Sequence, residues 1–205
     1  MTPRELLEFE ADIAREFAAG NIKAPIHLGG GNEEQLIKIF ADIRLTDWVL
    51  AGWRSHFHCL LKGVPPAELK AAIMRGRSVS LCFPEQRVLC SGIMGGIAPI
   101  AVGLAWAVKK DEPQGQSDAV YPGMFSSHVY CFLGDMTAMS GIVHEAKQYA
   151  ARHNLPVTWI VEDNGLSVMT PTQESWGLER AKIDLERYHY KLTRPHSGIG
   201  QWVRF

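Results

Sequence analysis

Asp135 and Asn164 are the two residues whose types and spacing make the most definite chemistry in this 205-residue chain. Asp135 follows the apolar run VYCFL and a glycine, and Asn164 closes a second apolar run, VTWIVED, 29 positions later. Between them lies an amphipathic, helix-like stretch, so the order reads strand, acidic turn, helix, strand, polar loop. A right-handed crossover returns the second strand parallel to the first, and both carboxyl ends open on one edge of the sheet. A carboxylate and an amide oxygen then face a single crevice. Hard oxygen ligands with room for water and phosphate oxygens suit magnesium better than a soft transition metal, which points to a phosphorylated cofactor.

Both residues also have plainer uses. Asp before a helix commonly caps its N-terminus, and Asn164 with Gly165 makes an ordinary turn. Arg54 is a second chemical candidate, because a guanidinium fork pairs phosphate oxygens in a way lysine cannot; a surface ion pair is its plain alternative. His56 and His58 alternate, but no third soft ligand stands at a diagnostic spacing, and His144-Glu145 lacks the second histidine of a helical zinc motif. His56 is left either as a group acting on substrate or cofactor or as a hydrogen-bonded structural histidine. Gly29 to Gly31 form a turn or a phosphate cradle; the Gly-Lys-Ser/Thr ending of a phosphate loop is absent.

The elements that must position these groups are legible in outline. Leu6, Leu7, Ile13, Ala14 and Phe17 make one apolar face of an opening helix that stops at Gly20. A second helix, EEQLIKIFADI, follows the triple glycine. Pro65 and Pro66 begin a third, with Leu69, Ala72 and Ile73 inward and Gly76 as its stop. VSLCFPEQRVLCSGIMGG lacks helical periodicity, and the small-residue helix IAPIAVGLAWAVKK comes after it. Residues 111–123 read as a long surface loop, and ESWGLERAKIDLERYHYKL reads as a helix leading into an irregular tail.

Composition limits the alternatives. With 46% hydrophobic residues and no obvious linker, the expectation is one domain over 1–205. A net charge of -1 with scattered basic residues gives no footprint for nucleic acid. No apolar run reaches membrane-spanning length and the amino terminus is charged, so a soluble cytoplasmic protein is expected. Cys59, Cys82, Cys90 and Cys131 show no knuckle or redox spacing; all four are expected to be buried free thiols.

The Gly134-Asp135 to Asn164 segment resembles the thiamine diphosphate signature, and most nearly that of the alpha subunit of the 2-oxo acid dehydrogenase decarboxylating component, which shares Glu145-Ala146. Three collinear stretches, AAGNIKAPIHLGGGNE, WRSHFHCLLKGVPPAEL and SGIMGGIAPIAVGLAWA, carry the resemblance across most of the chain to about Thr172. It implies an α/β fold with a mainly parallel sheet flanked by helices, binding thiamine diphosphate and magnesium. It further implies that the side chains of Asp135 and Asn164 and the carbonyl of Leu166 hold the metal. Arg54, Met136 and Thr137 would lie at the diphosphate, Gly92 and Met94 would hold the aminopyrimidine by backbone groups, and Trp53 would pack in place of the usual tyrosine. His56 and His196 are the catalytic candidates, His196 also touching cofactor. Met136 departs from the pattern, which has glycine there. The resemblance implies a beta-type, pyrimidine-binding subunit completing a heterodimer or heterotetramer, with a 2-oxo acid or ketose as substrate. A transketolase-like half-enzyme and a noncatalytic subunit with a decayed site are the alternatives.

Overall fold

The computed structural model describes residues 1–111, 127–177 and 185–204. Six strands form one sheet in the order β2-β3-β1-β4-β5-β8: β1 (Trp48–Ala51), β2 (Cys82–Phe83), β3 (Val88–Cys90), β4 (Val129–Gly134), β5 (Val157–Asp163) and β8 (Glu186–His189). All neighbours pair parallel except β2 with β3. β6 (Leu166–Ser167) and β7 (Thr170–Pro171) make a separate antiparallel hairpin. The sheet is thus mixed, mostly parallel, and flanked by helices.

Side chains of a strand alternate between faces, and here the alternation divides the core in two. Val49 and Ala51 of β1, Phe132 of β4 and Ile160 of β5 pack into one cluster. Leu50, Cys131, Leu133, Trp159 and Val161 pack into the other. The first face is covered by α1 (Pro3–Ala18), α2 (Glu33–Phe40), α3 (His56–Leu61) and α4 (Pro66–Met74), through Leu6, Ile13, Leu36, Phe57 and Leu69. The second is covered by α5 (Ile97–Lys110) and α7 (Gly141–Arg152), through Ala98, Ala101, Ala105, Val143 and Ala146. Each fully buried Leu, Ile or Phe contributes about 1.5–3 kcal/mol, so both faces are needed. The alanine spacing of α5 lets its backbone lie close to β1 and β4.

From β1 the chain runs through α3 and α4 to β3 on one side, then through α5 to β4 on the other. Strand order therefore reverses around β1, and the carboxyl ends of β1 and β4 splay chain in opposite directions to leave a crevice. The opposite edge is closed by Asp47, which is fully buried and accepts from the amides of Arg44 and His128, each at 2.8 Å.

The expected helices near the amino terminus, after Pro65 and at 97–110 are present as read. Two expectations change. Residues 186–189 are the strand β8, paired parallel with β5, rather than part of a helix: Tyr188 and Tyr190 both turn toward Glu162 at a spacing of two, and pairing with β5 outweighs local helical preference. Among the described residues of that stretch only those of α8 (Thr172–Trp176) are helical; residues 178–184 lie outside the described residues. Cys82 is exposed on the edge strand β2, while Cys59, Cys90 and Cys131 are buried; all four are free thiols. The expected loop at 111–123 falls outside the described residues beyond Asp111. No helix among the described residues is long and apolar enough to cross a membrane.

Candidate functional site

A crevice of about 200 Å³ opens at the carboxyl edge where the strand order reverses. Its walls come from the ends of β1 (Trp53, Arg54), β4 (Asp135, Met136, Thr137) and β5 (Glu162, Asn164, Leu166), with Met94 from the turn before α5 and Tyr190 after β8. Eight of the residues singled out from sequence, Trp53, Arg54, Met94, Asp135, Met136, Thr137, Asn164 and Leu166, therefore share one cavity. Gly92 sits beside it, between the lining residues Ser91 and Ile93.

Asp135 is only 7% exposed and opens the short helix α6 (Asp135–Ala138). It does not cap that helix: Gly134 occupies the cap position without a side-chain bond, and the Asp135 Oδ2 instead accepts a 2.6 Å hydrogen bond from the Thr172 hydroxyl. Burial pushes its carboxyl above the ordinary value, Thr172 opposes that, and Asp163 adds to it. Asn164 makes a tight turn in which its Oδ1 accepts the Leu166 amide at 3.0 Å. The turn brings the side chain of Asn164 and the backbone of Leu166 to the same wall. Met136, the departure from the resembled pattern, has an ordinary helical backbone, so its side chain introduces no strained φ. Its sulfur accepts from the Trp176 indole, and Thr137 Oγ1 lies 3.5 Å from the Met94 sulfur.

Arg54 is half-buried in the wall. Its Nη2 donates to the ring Nδ1 and the carbonyl oxygen of His196, both at 3.0 Å, and its Nε has no partner among the described residues. Burial pushes the guanidinium below its ordinary value, partly offset by Tyr190 and Glu162. A buried N–H without an acceptor carries a desolvation cost of roughly 1–3 kcal/mol. Arg54 is not a surface ion pair. Trp53 stacks on His27, centroids 5.1 Å apart, and meets His196 edge-on.

His56 is not brought to the crevice. Its ring is 1% exposed, with Nδ1 3.0 Å from Glu10 and Nε2 2.9 Å from the Ser78 hydroxyl. The geometry matches the structural alternative for this residue. The triple glycine also lies elsewhere: Gly31 (φ +98) leaves room for the Lys191 carbonyl, which a Cβ would strike, so the turn seats the tail 191–194.

Several residues of the site escaped the sequence reading. Glu162 lies beneath the crevice, accepting from Tyr188 Oη at 2.5 Å and Asn32 Nδ2 at 3.2 Å. His58 Nε2 stands 3.4 Å from it, close enough for an ion pair but outside hydrogen-bond geometry. Burial pushes the Glu162 carboxyl up, yet His58, Tyr188 and Arg54 outweigh burial and hold it below the ordinary value. Burial and Glu162 push the Tyr188 phenol up. A period of two from Asn164 along VTWIVED was the available signal for Glu162. For His27 and Thr172 no local signal exists.

A mostly parallel sheet with a largely apolar crevice that holds a few convergent polar groups at its reversal point defines a ligand-binding α/β domain. The chain belongs to the dehydrogenase E1 component family, whose model matches residues 1–182. It is 28% identical over 178 residues to the alpha subunit of acetoin:2,6-dichlorophenolindophenol oxidoreductase of Bacillus subtilis, covering 82% of this chain and 50% of that protein. It is 29% identical over 180 residues to the pyruvate dehydrogenase E1 component subunit alpha of Rickettsia felis, covering 83% and 52%. The Zymomonas mobilis counterpart is 29% identical over 178 residues, covering 82% and 47%. The chain thus spans about half the length of these relatives.

Proposed function

We propose that this chain is the diphosphate-binding, alpha-type part of a heteromeric thiamine diphosphate-dependent enzyme that decarboxylates a 2-oxo acid and passes on the remaining fragment. The observation that carries the proposal is the half-buried Arg54 guanidinium, whose Nε has no partner among the described residues, in the wall of the same crevice as Asp135 and Asn164. One wall offers a hydrogen-bond donor for anionic oxygens; the other offers oxygen donors for a hard cation. That set fits a magnesium diphosphate.

In this reading Asp135, the Asn164 amide oxygen and the Leu166 carbonyl hold magnesium. Arg54, with the backbone of Met136 and Thr137, orients the diphosphate. Backbone groups of Gly92 and Met94 meet the aminopyrimidine, and Trp53 packs beside them. His196, held by Arg54 just outside the crevice lining, is the candidate to act on substrate or cofactor. His56, joined to Glu10 and Ser78, is a structural residue of the core. When bound, thiamine diphosphate supplies the electron sink for the bond that breaks as a 2-oxo acid loses carbon dioxide. A beta-type subunit supplies the pyrimidine-binding half, and the exposed Ile93, Met94 and Val168 that line the crevice are the surface it covers.

The test is to purify the chain with its copurifying partner, add thiamine diphosphate and magnesium, and follow 2-oxo acid consumption and cofactor binding by calorimetry. Decarboxylation by the assembly and little by the isolated chain is expected. Absence of cofactor binding in the assembly overturns the proposal in favour of a noncatalytic subunit, and ketol transfer without carbon dioxide release in favour of a transketolase-like one.

A further inference from the structure

We infer that Thr172 is a positioning residue for Asp135, and that its hydroxyl couples the metal-binding carboxylate to the docking of the arm formed by residues 166–176. The inference rests on the function proposed above, in which Asp135 is a cation ligand.

A carboxylate turns easily about its terminal torsion, whose energy wells are broad. The 2.6 Å bond from Thr172 Oγ1 to Asp135 Oδ2 is short and charge-assisted, and bonds of this kind are roughly twice as strong as neutral ones. An ionised carboxylate only accepts, so the hydroxyl proton points at Oδ2. Oδ2 is thereby held in place from the arm, while backbone amides of α6 bond the same carboxyl from its own side. Ligating carboxylates commonly need such an outer partner to stay oriented.

The partner comes from 37 residues further along the chain, on an arm with little buried surface of its own. The hairpin β6–β7 and helix α8 include the exposed Leu166, Val168, Met169 and Trp176, and no residue of α8 is buried. Segments with few buried contacts open locally at low free-energy cost. Two side-chain bonds from this arm end on consecutive residues at the crevice: Thr172 on Asp135 and the Trp176 indole on Met136. The Thr172 amide also donates to the Gly165 carbonyl at 3.0 Å, closing the arm on itself next to Leu166. A cation held by Asp135, Asn164 and the Leu166 carbonyl is therefore gripped at both ends of one brace. Thr172 is the link between them.

The experiment compares wild type, Thr172→Val and Thr172→Ser in the full chain, in the assembly in which it copurifies. Manganese serves as the probe cation, and loss of its free electron-paramagnetic signal on titration with thiamine diphosphate present reports binding without any turnover. Thr172→Val should bind about tenfold to hundredfold more weakly, and Thr172→Ser, which keeps the hydroxyl, should stay close to wild type. In the ligand-free chain, amides 166–176 should exchange faster in Thr172→Val and as slowly as wild type in Thr172→Ser, with the melting midpoint of the whole domain unchanged. Equal manganese affinity of Thr172→Val and wild type overturns the inference while leaving the functional reading standing. Equal weakening by Ser and Val also overturns it, because the hydroxyl is then not the agent. A wild type that binds no manganese with thiamine diphosphate overturns the functional reading itself, and this role with it.

Discussion

Arg54 Nη2 donates at 3.0 Å to two atoms of His196, the ring Nδ1 and the carbonyl oxygen. A guanidinium has no lone pair to offer, so Nδ1 accepts and the ring proton of neutral His196 sits on Nε2. His27 Nδ1 lies 2.8 Å from the same carbonyl oxygen, which only accepts; His27 therefore carries its proton on Nδ1 and keeps Nε2 as an acceptor. Arg54 thus fixes the tautomer of His196 and the His196 carbonyl fixes that of His27, leaving one ring nitrogen a donor and the other an acceptor next to Arg54 and Trp53.

Replacing Arg54 by lysine keeps the charge and loses the fork. A single ammonium cannot hold both His196 atoms and also reach a phosphate oxygen. Arg54→Lys should weaken thiamine diphosphate binding by about tenfold or more, about 1.4 kcal/mol, measured calorimetrically in the assembly with magnesium fixed. An affinity equal to wild type would remove Arg54 from the diphosphate site.

The pH dependence of stability follows from the two histidines. Burial lowers the pKa of His27 and of His196, with Arg54 nearby adding to it. Folded values below the unfolded value of about 6.5 mean that the native state binds fewer protons between the two. Stability then rises with pH through that window and is lost as pH falls below about 6.5. Urea midpoints should drop from pH 7 to pH 5, and His27→Gln should flatten that slope. A slope that His27→Gln leaves untouched would place the protonation elsewhere.

The sequence made the strand-helix-strand unit around Asp135 and Asn164 readable because its alternation and spacing are local. β4 and β5 pair parallel with Leu133 opposite Val161, as a crossover through α7 requires. The strand β8 was not readable: its period of two covers four residues and is visible only beside β5. Glu10 reads as one more charge on an amphipathic helix. Its burial depends on His56 and on the Gly29 amide, which it accepts at 2.8 Å, and neither neighbour is local. Cys82 misled for the opposite reason, since an apolar neighbourhood in sequence does not reveal an edge strand.

That buried Glu10–His56 contact separates a structural histidine from a chemical one. Removing the ring leaves a buried carboxylate and the Ser78 hydroxyl without their partner, which costs about 3 kcal/mol or more. His56→Ala should lower the unfolding free energy by that amount in urea titrations. Cofactor affinity and turnover per folded molecule should change little at a temperature where the variant remains folded. A loss of turnover by several orders of magnitude in a stable His56 variant would instead place this ring in the chemistry.

Asp135 should show the reverse balance of stability and function. Its folded pKa is raised by burial, by more than the Thr172 bond offsets, with the nearby Asp163 adding to the shift. The native state thus binds a proton more readily than the unfolded chain does, and the charged carboxylate is a destabilising group once pH exceeds that raised value. Asp135→Asn removes the charge and keeps an oxygen able to accept from Thr172. The variant should therefore melt at a higher temperature than wild type at pH 7, with the difference shrinking as pH falls toward 4. It should also lose most magnesium-dependent thiamine diphosphate binding, because a neutral amide is a poor substitute for a carboxylate at a hard cation. Paired thermal melts and calorimetry at pH 7 check both halves. A variant less stable than wild type at pH 7 would mean that hydrogen bonding, not burial, governs this carboxylate.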